Sequence, residues 1–336
     1  MVSAGLNGFG RFGLHLLKYW LDRSKDANFR IQYINDDTLG IDDIHDMVVN
    51  DPYVTFNKYK VQVATDRLAI LKPDGDKYEI LVTHEPYEHV RWLGEPEIIF
   101  ECSGKNTVAS RCRCYLTGET RWVLISATSW DAPLTLIYGF NHEAFDQTRE
   151  QIFSYGSCTV NGFVPFANEL NDLFGIVNAD VNVVHNVQSY RLTNTLIRKF
   201  CTLEASAPAL LKFLSAENNF KVTYTVVPYT GVSAIDFRFR LASPTNREDI
   251  LEKLSRSMLS GRLKNLYQFD EVDIGPERYC CTTFSIVFIK ENLKLIGDNL
   301  YLQGYFDTEN SVNRYYDLAS YMIRTAPASQ SPVRID

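Results

Sequence analysis

The segment YGSCTVNGF, residues 155–163, sets Cys158 between two hydroxyl residues, Ser157 and Thr159, just before apolar positions that recur with a helical period: Phe163, Phe166, Ala167, Leu170 and Leu173. A cysteine at a helix start faces unpaired backbone N–H groups and the positive end of the helix dipole, which favour the nucleophilic thiolate. The same position suits a small residue entering a buried helix, and residue type alone leaves both readings open. Pro165 fits that helix only if it falls in the first turn. His185, the one histidine in the second half of the chain, lies in the strand-like stretch ADVNVVHNVQSYRL. An imidazole beside the thiol would take its proton and later serve acyl chemistry. Whether the two meet is a question for the fold.

A second constellation opens the chain. VSAGLNGFGRFGLHLLKYWLDR passes from an extended segment through Gly8, Gly10 and Gly13 into an apolar-periodic helix from about Leu14 to Leu21. The spacing Gly8-x-Gly10-x-x-Gly13 allows a tight turn, close approach of backbone to a pyrophosphate, and close packing of helix on strand. FRIQYINDD then supplies a second strand ending in Asp36 and Asp37, where a carboxylate meets an adenosine ribose. Strand, glycine turn, helix, strand and acid together predict a dinucleotide site. Two carboxylates at that strand end would repel a ribose 2′-phosphate, which favours NAD over NADP.

Alternation continues through KVQVAT, YEILVTH, PEIIFECSG, RWVLISATS and TLIYGFN, the pattern of an open α/β sheet. Ser103-Gly104 and Ser126-Ala127 each follow an apolar strand, where small residues either admit a ligand or simply turn the chain. Cys280 and Cys281 read as strand residues facing opposite sides. The chain has 336 residues, 45% hydrophobic and 22% charged, enough for two domains of about 150 residues. A net charge of −7 and no evident basic face argue against a nucleic-acid partner. The N-terminus lacks a signal-peptide pattern, and no apolar run approaches the roughly 18 residues that cross a bilayer, so a cytoplasmic chain without a membrane partner is expected. Seven scattered cysteines, with no CxxC and no histidine cluster of zinc spacing, predict thiols rather than a metal site.

At NGFGRFG, INDD, ISATSWDAP, GSCTVN, VVHNV and NRYYDLASYMI the chain resembles, in order and over nearly its whole length, the glyceraldehyde-3-phosphate dehydrogenases. The separation of Cys158 from His185 agrees with that family. The resemblance implies an α/β fold: a Rossmann-type NAD-binding domain, residues 1–157, completed by a C-terminal helix at about 310–324, and an α+β catalytic domain, 158–309, with a mixed or antiparallel sheet. It implies that Cys158 attacks an aldehyde to form a thiohemiacetal, that NAD accepts hydride, and that an acceptor, inorganic phosphate in the family, cleaves the thioester. His185 would activate the thiol and, with the Cys158 N–H, hold the oxyanion. Asn7, Gly8, Phe9, Gly10, Arg11 and Phe12 match the pyrophosphate turn, Asp36 the ribose carboxylate, and Ser126 a small residue beside the cofactor; Ser103 joins them as a candidate contact.

The substrate side departs from the family. Val226 replaces the arginine before the proline of an FRVP segment, and Ala207 and Pro208 stand for the threonine and glycine of STGAA. Gln188 replaces a threonine three residues past the histidine, while Ser157 and Thr159 persist. Thr308 stands where an asparagine holds the nicotinamide amide. Arg191, Arg198 and Lys199, on a loop shortened relative to the family, either rebuild an anion site or form a solvated basic loop. That shortening leaves a homo-oligomer, tetramer or dimer, open. Two readings follow: an active aldehyde dehydrogenase with an altered sugar-aldehyde substrate, or a cofactor-binding relative with a regulatory or assembly role. The tail APASQSPVRID is expected to be loosely ordered or an interface arm.

Overall fold

The computed structural model describes residues 1–187, 192, 194–228, 232–306 and 308–326, with the backbone alone for 308–310. Gln188, Arg191, the tail beyond Ala326 and the side chain of Thr308 lie outside the described residues.

The first sheet is built from β1 (Val2–Asn7), β2 (Phe29–Asn35), β3 (Lys60–Ala64), β4 (Arg67–Leu71), β5 (Lys77–Thr83), β6 (Ile98–Glu101), β7 (Trp122–Ile125), β8 (Leu134–Thr135) and β9 (Ile152–Ser154). Their spatial order is β3-β4-β5-β2-β1-β6-β7-β9-β8. β1 pairs in parallel with β2 on one side and β6 on the other, so the chain reverses direction of growth beside β1. In open α/β sheets, ligands bind at such a switch point, outside the carboxyl ends of the strands. The helices α1 (Arg11–Asp22), α2 (Ile41–Asn50) and α3 (Ala109–Cys112) belong to this part. α1 begins three residues earlier than its apolar period suggests, because Gly10 already occupies the extended N-cap position. Of TLIYGFN only Thr135 is strand, together with Leu134 in β8; Gly139, at φ +83°, turns the chain, and the Asn141 side chain bonds Ile137 N–H and Thr135 C=O.

The second part opens with α4 (Cys158–Phe174) and continues through β10 (Ile176–Val187), β11 (Ile197–Arg198), α5 (Leu203–Leu210), β12 (Phe220–Pro228), β13 (Ser233–Leu241), α6 (Arg247–Ser260), β14 (Tyr267–Asp270), β15 (Ile286–Ile289), β16 (Lys294–Ile296) and β17 (Asn299–Phe306). The sheet order is β11-β12-β10-β13-β17-β15-β14, with β16 on β17. It is mixed: β10 runs parallel to β12, with α5 in the connection, and antiparallel to β13. α4 lies in the second core, where Phe163 and Phe166 pack on Phe237 and Phe239 and Phe166 also on Phe288.

α7 (Thr308–Thr325) returns to the first part, with Val312, Tyr315, Leu318, Ala319 and Met322 buried in the same core as Leu14 and Leu17 of α1. Its Arg314, 4% exposed, donates to the carbonyls of Asn265 and Thr283, and so ties both parts together. No helix among the described residues is long and apolar enough to cross a membrane.

Candidate active site

Ser157 caps α4, its hydroxyl accepting from Val160 N–H at 3.3 Å. The Asn161 amide donates to the carbonyls of Tyr155 and Ser157, and fastens the turn that delivers Cys158. Gly156, at φ +85°, makes that turn without the steric cost of a side chain in the left-handed region. Pro165 lies deep inside α4 and not in its first turn. Proline removes the N–H that would bond the Asn161 carbonyl. The buried Tyr267 hydroxyl, 3.2 Å from Asn161 O and 2.9 Å from Gly162 O, supplies a donor instead.

β10 carries His185 to Cys158: Nε2 stands 3.5 Å from Sγ. His185 Nδ1 lies 2.7 Å from the Asn186 carbonyl, which can only accept, so Nδ1 holds the proton and Nε2 turns its lone pair to the thiol. Asn186 is itself held by the Ser233 hydroxyl, which donates to its side-chain oxygen and accepts from its N–H. The rings of Tyr224 and Phe306 flank the imidazole at 5.7 and 5.6 Å. This arrangement can deprotonate a nucleophile and return the proton to a leaving group.

Cys158 opens on a cavity of about 560 Å³ lined also by Phe12, Ser126, Ala127, Thr128, Trp130, Tyr155, Ser157, Thr202 and Ser311. The cavity therefore touches both parts of the chain. A run of hydroxyls borders the sulfur: Thr128 donates to Thr202, Thr202 to Ser157, and Ser157 and Thr159 are 3.0 Å apart. Thr202 was not anticipated. Ala207 is fully buried inside α5, whereas Thr202 stands immediately before that helix. A hydroxyl and a helix N-terminus are thus present beside the cavity. Val226 is 3% exposed and sits opposite His185 in the β10–β12 register. Arg198 and Lys199 are exposed, Arg198 on the edge strand β11.

At the nucleotide turn the glycines differ in what they permit. Gly8 has φ +93°, and a Cβ there would lie 2.2 Å from Ser103 Cα, so β1 and β6 can approach only over a glycine. A Cβ on Gly13 would meet the Gly8 carbonyl at 2.5 Å, while one on Gly10 would meet nothing within 4 Å. Gly10 thus borders open space, as close approach of a pyrophosphate requires. Asp36 accepts from Phe9 N–H at 2.7 Å and, through its other oxygen, from Thr38 and Leu39 N–H. It braces the turn and, with four lone-pair sites, retains capacity for a ribose hydroxyl. These features fit a dinucleotide.

Other residues of the motif have less direct parts. Asn7 is buried between Glu101 and Asn35, so it joins β1, β2 and β6 beneath the turn. Glu101, unread in the sequence, also takes bonds from Tyr115, Asn106 and Ser103 N–H, and burial pushes its carboxyl above the usual range. Arg11 ion-pairs with Asp51, and Phe12 packs edge-on against Tyr155 and Tyr315. Ser103 accepts from Lys105 and Asn106 N–H and borders a second cavity of about 210 Å³ together with Gly8, Asp37, Lys105 and Arg111. Lys105 Nζ is 2.6 Å from Asp37, which keeps that carboxyl below the usual range and offsets half of the acidic pair.

Residues 157–303 match the family model of the glyceraldehyde 3-phosphate dehydrogenase C-terminal domain. The chain is 28% identical over 345 residues to glyceraldehyde-3-phosphate dehydrogenase 3.1 of Caenorhabditis briggsae, covering 96% of this chain and 99% of the relative. Glyceraldehyde-3-phosphate dehydrogenase 2 of Caenorhabditis elegans matches to the same extent, and glyceraldehyde-3-phosphate dehydrogenase 1 of Bacillus cereus is 24% identical over 338 residues, 96% of this chain and 98% of its own.

Proposed function

Because the chain is a divergent member of the glyceraldehyde-3-phosphate dehydrogenase family, we propose that it is an NAD-dependent aldehyde dehydrogenase working through a cysteine thioester. The observation that carries this reading is Cys158 Sγ at 3.5 Å from His185 Nε2, on a helix N-terminus that opens into the cavity touching both parts of the chain. A nicotinamide nucleotide held by Gly8, Phe9, Gly10, Arg11, Phe12, Asp36, Ser103, Ser126 and Thr308, on the framework that Asn7 joins, supplies the hydride acceptor. Residues 1–157 with α7 form the nucleotide domain in this reading, and 158–309 the catalytic domain.

His185 takes the thiol proton, and Cys158 sulfur adds to the aldehyde carbon to form a thiohemiacetal. The His185 imidazole and the Cys158 N–H then hold the developing oxyanion. After oxidation, the Ser157, Thr159 and Thr202 hydroxyls and the N-termini of α4 and α5 favour an anionic acceptor, inorganic phosphate, at the thioester. Gln188 and Arg191 complete the substrate side. The substrate is glyceraldehyde 3-phosphate or a related sugar aldehyde, its distal group held by something other than an arginine at 226. A cytoplasmic homo-oligomer, tetramer or dimer, belongs to the same reading.

The test is to mix the protein with NAD and a panel of phosphorylated and plain aldehydes, with and without inorganic phosphate, and follow absorbance of the reduced cofactor. Phosphate-dependent turnover supports an acyl-phosphate product. No turnover with any aldehyde would reduce the protein to a nucleotide binder and end the proposal.

A further inference from the structure

Cys280 and Cys281 take no part in this chemistry. They form no strand; they occupy the turn after Tyr279, and Cys281 has φ +57°. That left-handed backbone is unusual for a residue with a side chain and swings the second thiol round to the first. Their sulfurs lie 3.7 Å apart and both residues are partly exposed. Two thiols already at van der Waals contact need only a small further approach to bond.

The pair also touches the nucleotide turn. Cys281 Sγ lies 3.7 Å from the Tyr53 carbonyl, where its S–H donates. Tyr53 and Val54 N–H in turn donate to Asp51, and the other Asp51 oxygen holds Arg11, whose guanidinium stands 5.8 Å from the Tyr53 ring centre. Arg11 directly follows Gly10 and opens α1.

We propose that Cys280 and Cys281 are a dithiol site that a low-molecular-weight disulfide oxidises reversibly, and that closure loosens the Asp51–Val54 loop behind Arg11. One cysteine thiolate attacks the small disulfide and releases one small thiol. The second cysteine then displaces the other small thiol from the mixed disulfide. One S–S bond forms in the protein as one breaks in the oxidant, and the two protons leave on the two small thiols. Adjacent Cα atoms are about 3.8 Å apart, below the usual span of a disulfide, so the ring is strained and a dithiol reductant reopens it. Closure consumes the S–H that bonds Tyr53.

The experiment uses the full chain as Cys158→Ala, so that the oxidant is not spent on the nucleophile, in a series of ratios of small disulfide to thiol. After quenching and trypsin, peptide Tyr279–Lys290 is expected lighter by two hydrogens, and restored by reductant. Amide exchange at Tyr53 and Val54 should quicken, and NADH affinity should weaken about two- to tenfold, the scale of one hydrogen bond. Cys280→Ser keeps the Cys281 bond to Tyr53 and should show no loss of two hydrogens, its peptide carrying at most one small-thiol adduct. An unchanged peptide, or one carrying only small-thiol adducts, overturns the site. Ring closure with unaltered exchange at 53 and 54 overturns the coupling. The affinity readout alone rests on the proposed function: a reduced protein that binds no NADH refutes that reading, while mass and exchange still decide the dithiol.

Discussion

Replacing Tyr267 by Phe tests how the helix that presents Cys158 tolerates an internal proline. The ring of Tyr267 is 1% exposed and packs on Phe166 and Phe288, contacts that phenylalanine keeps. Only the hydroxyl is lost, and with it the donor for the Asn161 and Gly162 carbonyls. Leaving a buried acceptor unsatisfied costs about 1–3 kcal/mol. Pro165→Ala restores an N–H to the Asn161 carbonyl, so in that background the same Tyr267→Phe change should cost about 1 kcal/mol or less. The assay is a double-mutant cycle read by urea unfolding and by amide exchange along α4. Equal costs of Tyr267→Phe in both backgrounds, within about 0.5 kcal/mol, would show that the hydroxyl does not serve the carbonyl that proline strands.

His185→Asn removes the proposed base while keeping a polar side chain, and should lower aldehyde turnover about 10²- to 10⁴-fold with nucleotide affinity unchanged; steady-state rates and NADH titration separate the two. Gly8→Ala forces a Cβ to 2.2 Å from Ser103 Cα at φ +93° and should lower Tm sharply, whereas Gly10→Ala, with open space around its Cβ, should leave Tm unchanged and weaken nucleotide binding. Burial raises the Glu101 carboxyl above the ordinary carboxylate value of 4.5, so the folded state holds this proton to higher pH than the unfolded state. Its contribution to stability is full below 4.5 and is lost as pH climbs through the raised value, so Glu101→Gln should flatten stability against pH in urea midpoints taken from pH 4.5 upward.

What could be read from the sequence was local. β1, the glycine turn, α1 and β2 follow one another within about three dozen residues, and fixed rises per residue bring Asp36 to the turn. Ser157 before an apolar period likewise announces α4. Two features of the site are settled by residues far away in the chain. Pro165 is admitted to the helix interior by Tyr267, about a hundred positions later, which no periodicity displays. Asn7 serves three strands whose adjacency exists only in the folded sheet, and its partner Glu101 looks from sequence like one more residue of an apolar strand. Thr202 had a usable signal: Leu203, Ala207 and Leu211 recur every fourth residue after it, with Glu204 in the first turn.

The same distinction governs the change at 226. Letter by letter, Val226→Arg would restore the family's phosphate donor. In this fold the position lies at 3% exposure between His185 on β10 and Ile197 on β11, with the Tyr224 ring beside the imidazole. A guanidinium buried there without a partner costs several kcal/mol, and as a second cation it would oppose protonation of His185 during the reaction. Val226→Arg should therefore lower Tm and slow turnover, with no gain in KM for phosphorylated over plain aldehydes. Retention of Tm together with a lower KM for the phosphorylated substrate would mean that the side chain reaches the cavity and serves there as a phosphate donor.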